Sequence, residues 1–320
     1  MSVATELHVV TGKGGTGKTT VAAALAMSLA GRGRRVLLCE VEGRQGIAQL
    51  FDVPPLPYAE RKIAVGPDGG EVYALAIDPE SALLEYLQMF YRLGRAGRAL
   101  DRFGIIDFAT TIAPGVRDVL LTGKVYEAAR RRDGSRYAYD AVVMDAPPTG
   151  RITRFLNVNS ELAGLAKVGP IKRQAEAIMT MMRARSTHVH LVTVLEEMPV
   201  TETVDGIAEL QAERLPVGHV VVNLIRPELV SAATRAALDD ETVGVDDVAT
   251  VLTSVGLPAA AATTLVDGGH AAIRREELET QQRSVLADCG QPVVELPRLA
   301  GGIDLGALYD LAGRLEEMGR

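Results

Sequence analysis

The feature that most constrains this chain is a glycine-rich stretch at residues 12–20, Gly-Lys-Gly-Gly-Thr-Gly-Lys-Thr-Thr. It fits the pattern G-x-x-x-x-G-K-[ST], and it lies between a β-rich segment at residues 7–11 and a strongly helix-forming segment at residues 21–26. Glycines let consecutive backbone N–H groups converge on phosphate oxygens, and the helix directs its positive end at the same anion. The stretch therefore predicts a loop that binds the phosphates of a nucleotide.

The two lysines of this loop have different expected roles. Lys18 is expected to reach the β- and γ-phosphates, and the hydroxyl of Thr19 can join the shell of a Mg²⁺ ion. Lys13 is not required by an ordinary loop of this kind; it is either a solvated charge or the partner of an anion that offsets its repulsion from Lys18. The residues expected to bind the phosphates are Gly12, Gly14, Gly15, Thr16, Gly17, Lys18, Thr19 and Thr20.

Composition narrows the possible partners and the compartment. The chain has 320 residues, 47% of them apolar and 23% charged, and a formal net charge of −7, which indicates a globular protein and argues against nucleic acid as the main partner. We expect no secretory signal at the N-terminus, and no apolar run is long enough to span a bilayer. Cys39 and Cys289 stand far apart and suggest no disulfide framework, which fits a reducing cytoplasm.

Short apolar runs alternate with helix-like segments along the chain. Runs of strand length occur at residues 36–41, 139–145, 188–195, 219–225 and 293–297, and residues 62–78 resemble a hairpin. This alternation predicts an α/β fold with a doubly wound, mostly parallel sheet flanked by helices. We expect one P-loop ATPase domain over residues 1–320, with a helical subdomain inserted from residues 79–112 and 151–187.

Polar side chains follow several of the predicted strands. Asp145 ends an apolar strand, which is typical of the Walker B carboxylate that holds Mg²⁺, often through water, so Asp145 and Thr19 are the predicted metal ligands. Glu42 follows the strand at residues 36–41 and is suited to orient an attacking water. Simpler interpretations are that these acids begin a helix or end a strand. Asn223 could bind an adenine edge, because its amide offers both a donor and an acceptor.

His188 and His190 alternate onto one face of a predicted strand. Two imidazoles on one face could begin a metal site, but the sequence offers no evident third ligand. We therefore expect no metal, and no zinc in particular, at these two histidines.

The order of these motifs resembles the arsenical pump-driving ATPases and the related ATPases that deliver tail-anchored membrane proteins. Residues 145–156, D-A-P-P-T-G-R-I-T-R-F-L, resemble the family's switch segment D-T-A-P-T-G-H-T-L-R-x-L, and the loop with Lys13 resembles the deviant phosphate loop of dimeric ATPases. Further similar positions are Ala113-Pro114-Gly115, Glu202-Thr203, Asn223, and residues 296–304 with Pro297. The resemblance implies ATP and Mg²⁺ as ligands, adenine contacts from Asn223 and Pro297, and a dimer in which Lys13 reaches the partner's nucleotide.

Some positions depart from the family pattern. Glu42 stands where the family has its water-activating Asp, and a carboxylate misplaced by about 1 Å can lower a rate about a hundredfold. Arg151 replaces the family's His, and neither paired zinc cysteines nor metalloid-binding cysteines are present, so no zinc and no arsenite site is expected. The chain is most similar to the single-domain bacterial members described as anion-transporting ATPases, some of which occur as paralogous pairs.

Three functions are compatible with these residues. The first is an ATPase that cycles between open and closed dimers, with Lys13, Lys18, Glu42 and Asp145 as catalytic residues and a surface for a membrane protein or other hydrophobic client. The second is a nucleotide-binding subunit that hydrolyses weakly and completes the site of a paralogous ATPase. The third is a partitioning-type ATPase, which the acidic balance disfavours because that class binds DNA or membrane.

Overall fold

The structure, a computed structural model, describes residues 4–91, 115–165 and 170–319. Its strands are short, and those at the centre of the sheet are almost entirely buried, as expected where both faces of a sheet are covered. In chain order they are β1 (Glu6–Gly12), β2 (Arg35–Glu40), β3 (Arg61–Val65), β4 (Glu71–Ala76), β5 (Arg132–Asp133), β6 (Arg136–Tyr137), β7 (Ala141–Asp145), β8 (Thr187–Thr193), β9 (Val217–Ile225) and β10 (Val293–Pro297).

Helices connect most of these strands. They are α1 (Lys18–Leu29), α2 (Gly46–Leu50), α3 (Pro79–Tyr91), α4 (Val116–Arg130), α5 (Thr149–Leu165), α6 (Pro170–Met182), α7 (Glu197–Ala212), α8 (Ala232–Asp239), α9 (Val245–Ser254), α10 (Ala261–Ala287) and α11 (Leu305–Arg314). Several begin as their sequences suggest: Pro79 opens α3, and the Asp304 side chain accepts the Ala307 N–H at the start of α11 (2.8 Å). Within the described ranges, none of these helices is long and apolar enough to cross a membrane.

The main sheet has eight strands in the order β10-β9-β8-β1-β7-β2-β4-β3. Its neighbours pair in parallel except for β3, which runs antiparallel to β4 at one edge, and β5 and β6 form a separate hairpin. From β1 the chain crosses to β2 on one side, and after β7 it crosses to β8 on the other side. The carboxyl end of β1 therefore lies at a topological switch point, where open α/β sheets bind their ligands.

The two faces of the sheet carry separate cores, because successive strand residues point to opposite faces. On one face, Leu7 and Val9 of β1 pack with buried residues of α4, α5, α6 and α7. On the other face, Val10 packs with the alanine-rich α1 and with residues of α2 and α11. Helices thus cover both faces of a mostly parallel sheet, which confirms the predicted doubly wound α/β fold.

The predicted helical segments need one correction. Residues 151–187 are not helical throughout: α6 ends at Met182, and Thr187 already belongs to β8, where it pairs with Leu7 of β1. A β-branched residue beside a central strand gains more from sheet pairing than from extending a helix. For residues 79–112, the structure describes α3 as far as Tyr91, and the rest of that segment lies outside the described residues. The assignment of a separate helical subdomain stays a prediction.

Candidate functional site

The glycine-rich loop lies between β1 and α1, at the carboxyl edge of the sheet. Gly17 adopts a left-handed backbone conformation (φ 87°) immediately before α1, and Lys18 is the first residue of that helix. A Cβ atom at Gly12 would stand 2.1 Å from the Val192 carbonyl oxygen, and one at Gly17 would stand 2.4 Å from Asn223 Nδ2. Glycine is therefore required at both positions, and the loop lies close against β8 and β9 with the positive end of α1 directed at it.

Lys18, Thr19 and Asp145 meet beside this loop. Thr19 Oγ1 donates a hydrogen bond to Asp145 Oδ2 (2.7 Å), and both Lys18 and Asp145 are 8% exposed. Burial raises the pKa of Asp145 to about 6, and the carboxylates of Glu40 and Glu42 add to this, while Thr19 and Lys18 act in the opposite direction. Burial likewise lowers the pKa of Lys18. A hydroxyl next to a buried, incompletely compensated carboxylate is a pair of oxygen donors that suits Mg²⁺.

The two acidic residues after β2 have different surroundings. Glu40 is 2% exposed, and its carboxylate oxygens lie 3.4 Å from the N–H groups of Gly46 and Ile47 at the start of α2. Glu40 therefore serves as an acid beside the start of a helix. Glu42 instead lies near enough to Lys18 for its charge to oppose the lowering of that lysine's pKa by burial, and its carboxylate is 3.6 Å from the guanidinium of Arg44.

Lys13 is bound by a carboxylate of the same chain. Its Nζ donates a hydrogen bond to Glu202 Oε1 of α7 at 2.6 Å. The other oxygen of Glu202 accepts a longer hydrogen bond (3.4 Å) from the hydroxyl of Thr149, which is the first residue of α5. Lys13 is therefore not an isolated solvated charge in this structure, and its contact links the loop to the segment that follows Asp145.

That segment, residues 146–150, is fastened to β1. The Ala146 N–H donates to the Val10 carbonyl (2.9 Å), and Thr11 Oγ1 donates to the Pro147 carbonyl (2.6 Å). The segment runs directly into α5, whose Arg151 lies 3.8 Å from Asp118 of α4. Contacts of 2.6 to 3.8 Å thus connect this segment to β1 and connect α5 to α4.

Asn223 and Pro297, predicted to contact adenine, occupy different positions. Asn223 is 6% exposed; its Nδ2 donates to the Thr16 carbonyl of the loop (2.9 Å), which leaves Oδ1 available to accept a hydrogen bond. Asn223 also lines a cavity of about 1080 Å³ at the ends of β8 and β9 beside α10, together with Arg298. Pro297 is the last residue of β10 and does not line that cavity, whereas its neighbour Arg298 does. The adenine contacts of both residues remain predictions.

A second cavity, of about 550 Å³, lies among α3, α4, α5 and α6. Apolar side chains such as Leu120 and Ile178 form much of its wall, and Lys124 lines it while donating to both carboxylate oxygens of Glu85 (2.8 and 2.9 Å). Asn159 of α5, which is fully buried, also lines it. Because α5 begins at the phosphate site, this one helix joins the two regions.

Four of the five histidines lie side by side near the amino ends of β1, β8 and β9, and their ring centroids are 5.2 to 6.2 Å apart. His188 and His190 were predicted to share one face of their strand, and the neighbouring strands add His8 and His219 beside them. The rings stack and do not converge on a point. The part of the chain that the structure describes has no group of three or more His, Cys, Asp or Glu side chains that could hold a metal ion.

Hydrogen bonds assign the protons of this histidine stack. The His219 N–H donates to His190 Nδ1 (3.1 Å), so His190 carries its proton on Nε2, which faces His8 Nδ1 at 3.0 Å. His8 then carries its proton on Nε2, 3.8 Å from Glu6 Oε2 and too far for a hydrogen bond. Burial lowers the pKa of His8 and lowers that of His190 well below its ordinary value, so these two rings are neutral.

The structure places Lys18, Thr19, Glu42 and Asp145 near one another, and it adds two contacts that the sequence did not indicate. The Lys13–Glu202 pair joins residues 189 positions apart, and His8 meets His190 across 182 positions. Glu202 was noted only as part of a Glu-Thr pair in a helix. Its partner could have been found only by knowing that the start of α7 lies beside the phosphate loop.

The fold and the site define the class of this protein. A glycine-rich G-x-x-x-x-G-K-T loop between the central strand and first helix of a doubly wound sheet, with an Asp at the end of the adjacent strand, is the arrangement of a P-loop NTPase. A family model described as "Anion-transporting ATPase" matches residues 5–185. The chain belongs to this family of ATPases, as predicted from its motifs.

Named relatives agree with this assignment. The chain is 50% identical to ATPase BagA of Mycobacterium tuberculosis over 322 residues, which cover 98% of this chain and 93% of the relative. It is 26% identical to an arsenical pump-driving ATPase of Escherichia coli over 246 residues, 69% of this chain and 40% of the relative. It is 25% identical to an arsenical pump-driving ATPase of Acidiphilium multivorum over 234 residues, 68% of this chain and 39% of the relative.

Proposed function

We propose that this chain hydrolyses ATP to ADP and phosphate in a Mg²⁺-dependent reaction and acts as a dimer. The observation that carries the proposal is the hydrogen-bonded pair of Thr19 and Asp145 beside the buried Lys18, at the positive end of α1. Membership of an ATPase family supports ATP as the substrate. The second lysine of the loop supports a dimer, because its charge is suited to the phosphates of a second subunit.

Each residue has a role in this mechanism that follows from its surroundings. The loop N–H groups and Lys18 neutralise charge on the phosphates, and Glu42 orients the attacking water for in-line displacement. The Thr19 hydroxyl and Asp145 carboxylate would hold Mg²⁺, which supplies positive charge to the phosphate oxygens. Lys13 of the partner subunit adds a further positive charge as the γ-phosphate separates.

The same proposal assigns α5 the transmission of nucleotide state. Loss of the γ-phosphate would change the segment after Asp145 and hence the start of α5, whose far part lines the 550 Å³ cavity. That mostly apolar cavity suits a hydrophobic client, such as a membrane-protein segment.

Phosphate release from the purified chain tests the function. We expect Mg²⁺-dependent release from ATP, by the chain alone or mixed with a paralogous ATPase, and none above background from a Lys18→Ala variant. Equal release by Lys18→Ala, or no release with any partner, would contradict the proposal. Light scattering after gel filtration, with and without an ATP analogue, tests the dimer.

A second candidate function is a weakly hydrolysing subunit that completes a paralogue's site. The ion pair between Glu42 and Arg44 (3.6 Å) favours it, because a carboxylate held by a guanidinium is less free to turn toward an attacking water. In a mixture of the two proteins, Glu42→Gln in this chain should then leave hydrolysis unchanged, whereas Lys13→Ala should abolish it. Rapid turnover by this chain alone would count against a helper role.

A further inference from the structure

A row of hydrogen bonds fastens α5 to α7. Three residues spaced one turn apart on α5 each donate to a carboxylate: Thr149 to Glu202 (3.4 Å), Thr153 to Glu209 (3.1 Å) and Asn157 to Glu213 (2.8 Å). Residues four apart lie on the same side of a helix, so the three contacts form one edge between the two helices. This edge begins at the phosphate site.

Glu202 differs from the other two carboxylates in the contacts that the structure describes. It divides its two oxygens between elements: Oε1 accepts from Lys13 Nζ at 2.6 Å, and Oε2 accepts from Thr149. Among the described residues, Glu209 and Glu213 contact Thr153, Asn157 and Arg183 and none of the phosphate loop. One carboxylate therefore holds both the loop lysine and the first residue of α5.

The Lys13–Glu202 ion pair is exposed enough for Lys13 to exchange Glu202 for another anion. The side chains of Lys13 and Glu202 are 28% and 37% exposed, and ion pairs at such exposure are weak. A γ-phosphate carries more negative charge and more acceptor oxygens than a single carboxylate. Lys13 can therefore exchange Glu202 for a phosphate that comes within its reach.

We propose that Glu202 is a positioning residue that holds Lys13 on its own subunit until a nucleotide is bound, and that release of Lys13 also loosens the start of α5. The inference rests on the proposed dimeric function, in which Lys13 reaches a second subunit. It adds a competing contact within the subunit. The Lys13–Glu202 contact is also connected to α5, because Thr149, the first residue of that helix, donates to the same carboxylate.

Reactivity of Lys13 in the nucleotide-free protein tests this contact without requiring hydrolysis. An acetylating reagent is applied briefly, and modification at Lys13 and at the neighbouring Lys18 is separated by fragmentation in a mass spectrometer. Glu202→Gln keeps an acceptor for Thr149 but removes the charge that holds Lys13. We expect modification of Lys13 to become a few-fold faster, while Glu209→Gln, on the same helix and also bound to α5, leaves it unchanged.

Association provides the second measurement. With a non-hydrolysable ATP analogue, Glu202→Gln should form the dimer, alone or with the same paralogous partner, at a protein concentration up to about fivefold lower than the unmodified chain needs. Unchanged Lys13 reactivity in Glu202→Gln, or weaker association, would overturn the role of Glu202. Phosphate release that fails while the Lys13 reactivity behaves as expected would instead refute the ATPase proposal and leave the contact established.

Discussion

The carboxyl and amino ends of the same strands hold two different kinds of polar site. At the carboxyl ends, Lys18 and Asp145 lie close to the glycine-rich loop; at the amino ends of β1, β8 and β9 lies the histidine stack. Burial disfavours charge at both ends, since it raises the pKa of Asp145 to about 6 and lowers that of His190. The carboxyl end nevertheless keeps its charged groups, which an incoming ion can bind. At the amino end, the buried rings of His8 and His190 are neutral and lie within hydrogen-bond distance of each other, so they serve the fold.

The largest expected effect comes from removing a charged group at the carboxyl ends of the strands. Lys18→Ala should lower phosphate release about a hundredfold or more, because it removes a positive charge aimed at the transferred phosphate. Urea unfolding of the same variant should show that the fold is retained. Loss of hydrolysis accompanied by global unfolding would mean that Lys18 is needed for the structure, and would contradict its assignment to ion binding.

Asp145→Asn should separate stability from function at the same end. The folded pKa of Asp145 lies above its unfolded value of 3.8, so at pH 8 the ionised carboxylate costs the folded state about 2–3 kcal/mol, which the neutral amide avoids. We expect the nucleotide-free variant to be more stable by that amount at pH 8 and less so near pH 4, while Mg²⁺-dependent hydrolysis is lost. Urea unfolding at the two pH values measures the difference, and a variant destabilised at pH 8 would contradict the assigned burial cost.

Backbone geometry at the loop gives the next effect. Gly17→Ala would place a Cβ atom against Asn223 at a left-handed backbone position, at a cost of about 1–3 kcal/mol. Nucleotide affinity, followed with a fluorescent ATP analogue, should fall about tenfold or more. Gly313→Ala in α11 is the control, because no atom lies within 4 Å of a Cβ there and the position is outside the phosphate loop, so its affinity should stay within about twofold. Equal losses in both variants would show that the close approach to Asn223 is not the cause.

The smallest expected effect is on the pH dependence of stability, and it comes from the histidines at the amino ends of the strands. His8 and His190 bind fewer protons when folded than when unfolded, so the stability they contribute is present above the unfolded pKa near 6.5 and falls as the pH drops below it. The slope is about 1 kcal/mol per pH unit for each imidazole that gains a proton on unfolding. The charged groups near the stack are Glu6, Arg34 and Glu317.

Variants isolate this contribution from the opposite effect of Asp145. His190→Gln should reduce the pH dependence of the unfolding free energy between pH 7.5 and 5.5, and His270→Gln, in α10 and outside the stack, should leave it unchanged. The difference between the slopes is the measured quantity, so contributions common to both proteins cancel. Equal slopes would show that His190 does not stay neutral in the folded protein.

Much of the fold and part of the site follow from local patterns. Apolar runs such as residues 36–41 predicted buried parallel strands, and the loop at residues 12–20 predicted the turn from β1 into α1, because glycine spacing and helix-forming residues act over a few positions. Asp145 was predicted at a strand end for the same reason. The end of α6 at Met182 was missed, since pairing of Thr187 with β1 is a contact between distant segments.

The sequence by itself determined that this chain carries a phosphate-binding loop and belongs to the anion-transporting ATPases. The tertiary structure decided which groups that loop meets: strand order brings His8 beside His190, and the packing of α7 brings Glu202 to Lys13. The physical reason is the distance along the chain over which each property is determined. Backbone conformation depends on neighbouring residues, whereas a charge or an imidazole takes its state from whatever the fold places within a few ångströms of it.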